Sequence, residues 1–234
     1  MGRLKRHWKA WLIGGIAFLL VAFVGGPWFY IHVLSDPPAQ ALALNNNAQQ
    51  NAQQGGGPAV PVDGNWSVAA GSQAGYRVKE ILFGQDTTAV GRTGKVTGTV
   101  AIAGTKLTSG TVTVDMGSVA TDKSGRDEQF RDNLMSVSQF PTSTFTLTAP
   151  VDFGTVPPVG QKETVKAAGQ LTLRGKTNQV QVDLSAVRGG DNIQVQTSIP
   201  VAFADYGITK PNIPGITTED KGVIEVLLVL KKGQ

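Results

Sequence analysis

From Val96 to the C-terminus, apolar side chains fall on every second residue, and this constrains the fold more than any other feature of the chain. Val96, Gly98, Val100 and Ile102 make one such run, Val112, Val114 and Met116 the next, and Phe145, Leu147 and Ala149 a third. The alternation resumes over residues 165–173, 180–184, 193–203 and 224–230. A period of two belongs to strands with one buried face, and these runs make seven candidates. Residues 76–83 form an eighth with imperfect alternation. Gly104, Ser109-Gly110, Arg174-Gly175-Lys176 and Gly189-Gly190-Asp191-Asn192 punctuate the runs as turns, and joins that short imply antiparallel pairing. No helical periodicity recurs between strands, which excludes a parallel α/β sheet. A single short helix fits residues 123–134, with Phe130 and Leu134 four apart. The expected fold class is all-β with eight antiparallel strands; periodicity leaves a closed barrel and a two-sheet sandwich equally open.

Ahead of the strands the sequence changes character. Residues 11–33 contain no Asp, Glu, Lys or Arg, and 23 helical residues at about 1.5 Å each span roughly 34 Å, enough for a bilayer core. Arg3, Lys5, Arg6 and Lys9 precede this stretch and Asp36 follows it, while Trp8, Trp11, Trp28 and Tyr30 suit the interfaces. The positive-inside bias then makes residues 1–10 a cytoplasmic flank, 11–33 a single transmembrane helix, and the rest extracytoplasmic. The alternative is secretion after cleavage near Ala41 or Ala43, where Ala39-Gln40-Ala41 and Ala41-Leu42-Ala43 resemble cleavage sites. Residues 34–64, rich in Pro, Asn, Gln and Gly, read as a disordered linker that reaches about 30 Å as a flexible coil. Residues 65–234 form the folded domain.

Charge and residue usage remove several function classes. The formal charge is +4, from 21 Lys and Arg against 17 Asp and Glu, and the basic flank alone supplies four positive charges. A neutral domain lacks the cationic surface that phosphate neutralisation demands, so no nucleic-acid partner is expected. The chain has no cysteine, and its two histidines, His7 and His32, lie outside the domain. Ser-His-Asp and Cys-His catalysis and nitrogen or sulfur metal sites are thereby excluded, and neither catalytic residues, a metal nor another cofactor is assigned. Asp127, Glu128 and Asp132 are interleaved with Arg126 and Arg131, which reads as a salt-bridged, solvated helix face. The runs Lys123-Ser124-Gly125-Arg126 and Arg174-Gly175-Lys176-Thr177 lack phosphate-loop spacing and read as turns, with a second reading as barrel-mouth cations that meet an anionic headgroup.

Three segments carry a family resemblance. In order they are RDEQFRDNLMSVSQFPTSTF (126–145), AGQLTLRGKTNQVQVDL (168–184) and FADYGITKP (203–211). With Phe140-Pro141, Thr144-Phe145, Gly169 to Thr177 and Phe203 to Ile208 in register, the domain resembles the YceI family. That resemblance implies a lipocalin-like barrel outside the cytoplasm that binds long isoprenoid or amphiphilic lipids in its interior. A one-sided apolar sheet without catalytic side chains suits such a binding, non-enzymatic role. The alternation points Val112, Val114, Phe145, Leu147, Leu171, Leu173, Val182, Leu184, Val195, Ile199 and Phe203 inward as ligand contacts, with Phe130, Leu134 and Phe140 capping one end. A solid interior would instead favour an envelope protein–protein interaction module. Which lipid is bound, and the oligomeric state, are not encoded in any motif.

Overall fold

The computed structural model describes residues 13, 25–29, 37–44 and 60–233. The anticipated transmembrane helix lies almost wholly outside these residues. Among them, Gly26–Phe29 forms a short helical turn, and no helix is long and apolar enough to cross a membrane.

The domain is an antiparallel barrel. Its described strands are β1 (Gly64–Val68), β2 (Gln73–Leu82), β3 (Gln85–Thr93), β4 (Val96–Ala103), β5 (Lys106–Asp115), β6 (Thr142–Leu147), β7 (Val151–Asp152), β8 (Lys162–Leu173), β9 (Lys176–Arg188), β10 (Asn192–Ala202), β11 (Ile216–Thr218) and β12 (Lys221–Lys232). The order β1-β4-β5-β6-β8-β9-β10-β12 returns to β1 through Trp66 opposite Lys232 and Val68 opposite Leu230, which closes an eight-stranded ring. Closure decides between barrel and sandwich, and it leaves no open edge in that ring.

The ring counts eight because two of its members are bent. β1 and β2 follow one another along β12, whose C-terminal part pairs with β1 and whose N-terminal part, Val223 to Leu227, pairs with β2. Ser72 makes the bend: its hydroxyl donates to the Ala69 carbonyl (2.8 Å) and accepts from the Val229 amide (2.9 Å), replacing the missing ladder bonds. β3 and β4 repeat the device. The Lys95 amide donates to Thr93 Oγ1 (2.9 Å) at a break inside the glycine-rich stretch 91–98. β3 itself carries the sequence QDTTAVGRT and showed no clean alternation, because its polar residues sit on a hairpin that projects past the closed ring.

A short helix, α1 (Ser124–Glu128), runs on into a π-helical turn at Gln129–Leu134, where the Met135 amide donates to the Phe130 carbonyl (2.9 Å). The widened turn points Phe130, Leu134 and Met135 into the barrel end. Tyr76 stacks on Phe130 with ring centroids 5.1 Å apart. At the other end Trp66, 1 % exposed, fills the base and donates its indole N–H to the Val62 carbonyl (2.8 Å).

The segments that carry the family resemblance meet at one end of the barrel, where several of their residues lock a turn in place. The β8–β9 turn consists of Arg174 (φ 48°) and Gly175 (φ 72°), a two-residue type I′ geometry that matches strand twist. Arg174 donates to the Gly207 carbonyl and to Ser136 Oγ, and Asn178 donates to the Asp205 carbonyl (3.0 Å). The Phe140 ring lies on Gly175, where an added Cβ would sit 2.4 Å from it. Phe140 therefore packs under the turn and does not cap the interior, a correction to its expected role. Gly175→Ala is expected to cost about 1–3 kcal/mol, from positive-φ strain plus displacement of Phe140, measurable as a lower urea midpoint with unchanged slope.

On the outer wall Glu225, 4 % exposed, is held by Arg77 (3.0 Å) and by Arg92. Burial lowers the Arg92 pKa and the Glu225 carboxylate opposes that shift, so the guanidinium stays charged. The same two arginines reach outward: Arg77 donates to the Ala39 carbonyl (2.6 Å) and Arg92 to the Gln40 carbonyl (3.4 Å). Residues 37–44, within the stretch read as linker, thus rest on the barrel as a strap. Ala41 and Ala43 are exposed while Leu42 and Leu44 are half-buried.

Candidate ligand cavity

The inward face of the barrel is not filled. It encloses two chambers of about 170 and 360 Å³ that share Val114, Ser143 and Ile224 in their walls. These three residues form a waist on β5, β6 and β12. Ser143 stays buried there because its hydroxyl donates to the Thr172 carbonyl (2.9 Å) and so presents no unmet polar group.

The lower chamber is walled almost entirely by apolar side chains. Val112, Val114, Phe145, Leu147, Leu171, Leu184, Val195 and Ile199 line it, as the alternation predicted. The upper chamber takes Phe130, Leu134, Leu173 and Phe203 from the expected set, with Val114 again at the waist. Val182 is buried in the core, 4 % exposed, without reaching either wall, and Phe140 is engaged with Gly175. The alternation was right about direction; it did not separate residues that face space from residues that face other side chains.

Among the described residues, charged groups gather mainly around the upper chamber, Arg188 being the one charged side chain in the lower chamber's wall. Tyr76, Glu80, Lys123, Arg126 and Lys210 line the upper chamber; of these the sequence offered Lys123 and Arg126 as barrel-mouth cations, second to a turn, and marked none of the others. Arg126 bonds Asp122 (2.6 Å) and lies 3.7 Å from Glu80, while Lys210 pairs with Asp220 (2.5 Å). The anticipated carboxylate face of the helix is split in consequence: Asp127 accepts from the Thr121 amide and hydroxyl (2.8 Å each), and Arg126 turns toward the chamber. Tyr76 and Glu80 escaped notice because their strand alternates imperfectly. The inward positions 76, 78 and 80 mix Tyr, Val and Glu.

Burial pushes the Glu80 pKa above its ordinary value of 4.5, Arg126 opposes that shift and Asp122 adds to it. The folded state therefore holds this proton more tightly than the unfolded chain does. Stability from Glu80 is complete below its ordinary pKa and is lost as pH rises through the folded value. Glu80→Gln is expected to raise the thermal midpoint at pH 7 relative to the unmodified chain, and the gap should close as pH falls below 4.5. Burial likewise raises the Tyr76 pKa, so that side chain remains a neutral phenol.

Comparison with known proteins agrees with this architecture. Residues 66–230 match the family model described as YceI-like domain. A polyisoprenoid binding domain from Saccharophagus degradans, implicated in plant cell wall breakdown, superposes with a TM-score of 0.60 at 20 % identity, covering 72 % of this chain and 98 % of that one. BcnA of Burkholderia cenocepacia gives 0.51 at 18 % identity, covering 66 % and 95 %. No curated protein sequence matches the chain.

Proposed function

Since the chain belongs to the YceI-like domain family, we propose that it is a membrane-anchored extracytoplasmic carrier that holds an isoprenoid or other long-chain amphiphilic lipid in the two-chamber interior. The single observation that carries this reading is the apolar lower chamber abutting, across the shared Val114–Ser143–Ile224 waist, a polar-rimmed upper one. An amphiphile with one long tail matches that gradient: its chain lies among Val, Leu, Ile and Phe side chains, and its head reaches Tyr76, Glu80 and Arg126. Tail burial at about 25 cal/mol per Å² supplies the affinity, so tail length and shape set selectivity. The similarity to a polyisoprenoid binding domain supports the same ligand class. Binding, without chemical conversion of the ligand, is the role these side chains support. The arrangement of basic flank, apolar residues 11–33 and downstream domain supports anchoring in a bacterial cytoplasmic membrane with the barrel outside.

Native mass spectrometry with lipid extraction, on the full chain released from bacterial membranes, tests the proposal. A hydrophobic species bound near one per chain is expected. A clean unliganded mass that takes up no added prenyl lipid would move the assignment to an interaction module.

A further inference from the structure

The barrel has two ends, and only one suits contact with the bilayer. On the outer face of β2, Arg77, Lys79, Ile81 and the turn residue Phe83 fall in line at alternate positions. Ile81 is 44 % and Phe83 52 % exposed. The Phe83 amide donates to the Gly215 carbonyl (2.7 Å), and its ring lies so close that a Cβ on Gly215 would sit 2.2 Å away. This links the hairpin tip to Ile213, 40 % exposed, which also lines the upper chamber. Three large apolar side chains thus crowd the rim of a chamber mouth. Among the described residues the opposite mouth has one comparable residue, Val156 (39 % exposed), beside Arg188, which donates to the Val60 carbonyl (2.9 Å).

The strap sets how far this rim can stand from the membrane. Held at Ala39 by Arg77, it leaves six Cα–Cα steps back to Val33, at most about 22 Å of extended chain. Along β2 the path from Arg77 to Phe83 is also six steps, about 20 Å of strand. A tether of 31 flexible residues would leave the barrel free to tumble. One gripped at Ala39 is only long enough to bring the Phe83 end to the surface from which the chain emerges.

We infer that the Ile81–Phe83–Ile213 rim docks on the lipid bilayer, held there by the Arg77/Arg92-bound strap, so that the upper chamber opens directly onto the lipid phase. This deepens the reading above and rests on residues 11–33 being a membrane anchor. Apolar side chains at such a rim gain by entering the headgroup boundary, and Lys79 on the same line faces anionic lipid. An amphiphile would then pass between bilayer and chamber without exposing its tail to water.

The absence of cysteine allows a direct test on the full chain in vesicles of phosphatidylethanolamine and phosphatidylglycerol. Asp86→Cys at the hairpin tip and Gly190→Cys at the far end each carry an environment-sensitive fluorophore, read with spin-labelled quencher lipids. Quenching several-fold stronger at position 86 than at 190 is expected, and Phe83→Asp with Ile213→Asp should abolish the difference while the chain stays in the vesicles. Equal weak quenching at both positions, in a chain that resists alkaline extraction, overturns the inference and leaves the anchored carrier intact. Stronger quenching at 190 overturns it in favour of the other mouth. Release of the chain by alkali removes the anchor reading and the inference together.

Discussion

Val114→Trp is expected to lower affinity for a long-chain ligand by more than a hundredfold while leaving a short-chain probe bound. Val114 is common to both chambers, and an indole at the waist closes the passage between them. Each buried CH₂ contributes about 0.8 kcal/mol, so excluding only four carbons costs about 3 kcal/mol, a factor of roughly a hundred or more. Overpacking also costs about 1–3 kcal/mol of stability, which a thermal scan measures separately. Titration with prenyl alcohols of increasing length provides the readout. Wild-type affinity should climb with chain length until both chambers are filled, and the variant's should level off once one chamber is full. Parallel curves for the two proteins would show that the ligand does not cross the waist.

The largest effect on stability is expected at Glu225. Glu225→Ala leaves Arg77 and Arg92 facing each other across a wall position that water barely reaches, since the carboxylate is 5 % exposed. Removing one member of a buried charged cluster typically costs about 3–5 kcal/mol, because the remaining charges lose their compensation. Combined replacement, Glu225→Leu with Arg77→Met and Arg92→Met, should recover most of that loss, since the cluster's net contribution is small even though breaking it is costly. Urea denaturation of the two variants separates these cases. In the triple variant the strap loses its two donors, so limited proteolysis between residues 37 and 44 should accelerate although the barrel is stable.

How much of this was readable from sequence depended on what each residue packs against. From Val96 onward every strand of the closed ring was visible, because one face meets the interior and the other meets water; the two- and three-residue strands β7 and β11 were missed, being too short to show a period. The region before Val96 was harder to read: β1 has five residues and a single buried side chain, Trp66, and β3 has polar residues on a projecting hairpin. Both are parts of bent strands, and the side-chain bonds of Ser72 and Thr93 that make the bends leave no periodic signal. Lining residues were largely legible, since inward direction follows from period two. Val182 and Phe140 show the limit, because facing inward and facing empty space are different properties. The polar rim was legible only as the cationic run Lys123 to Arg126; its pairing with Glu80 was not, as Glu80 and Arg126 approach one another only once the chain has folded the helix over the barrel end. The Arg77–Glu225–Arg92 cluster joins positions up to 148 residues apart, a pairing no local pattern announces.

The bent strands give the wall two independent seams. Below the bend, β1 joins β4 to β12; above it, β2 and β3 continue the wall, and β3 with the residues after it meets the opposite side through the Arg92–Ala120 bridge, the Thr93–Ser118 hydroxyl pair (2.6 Å) and the Lys95–Asp115 bond. The upper storey is therefore the less cross-linked part of the wall, while the lower storey carries a complete belt of hydrogen bonds. The polar end of the barrel is its loosest joint, and the end filled by Trp66 its tightest.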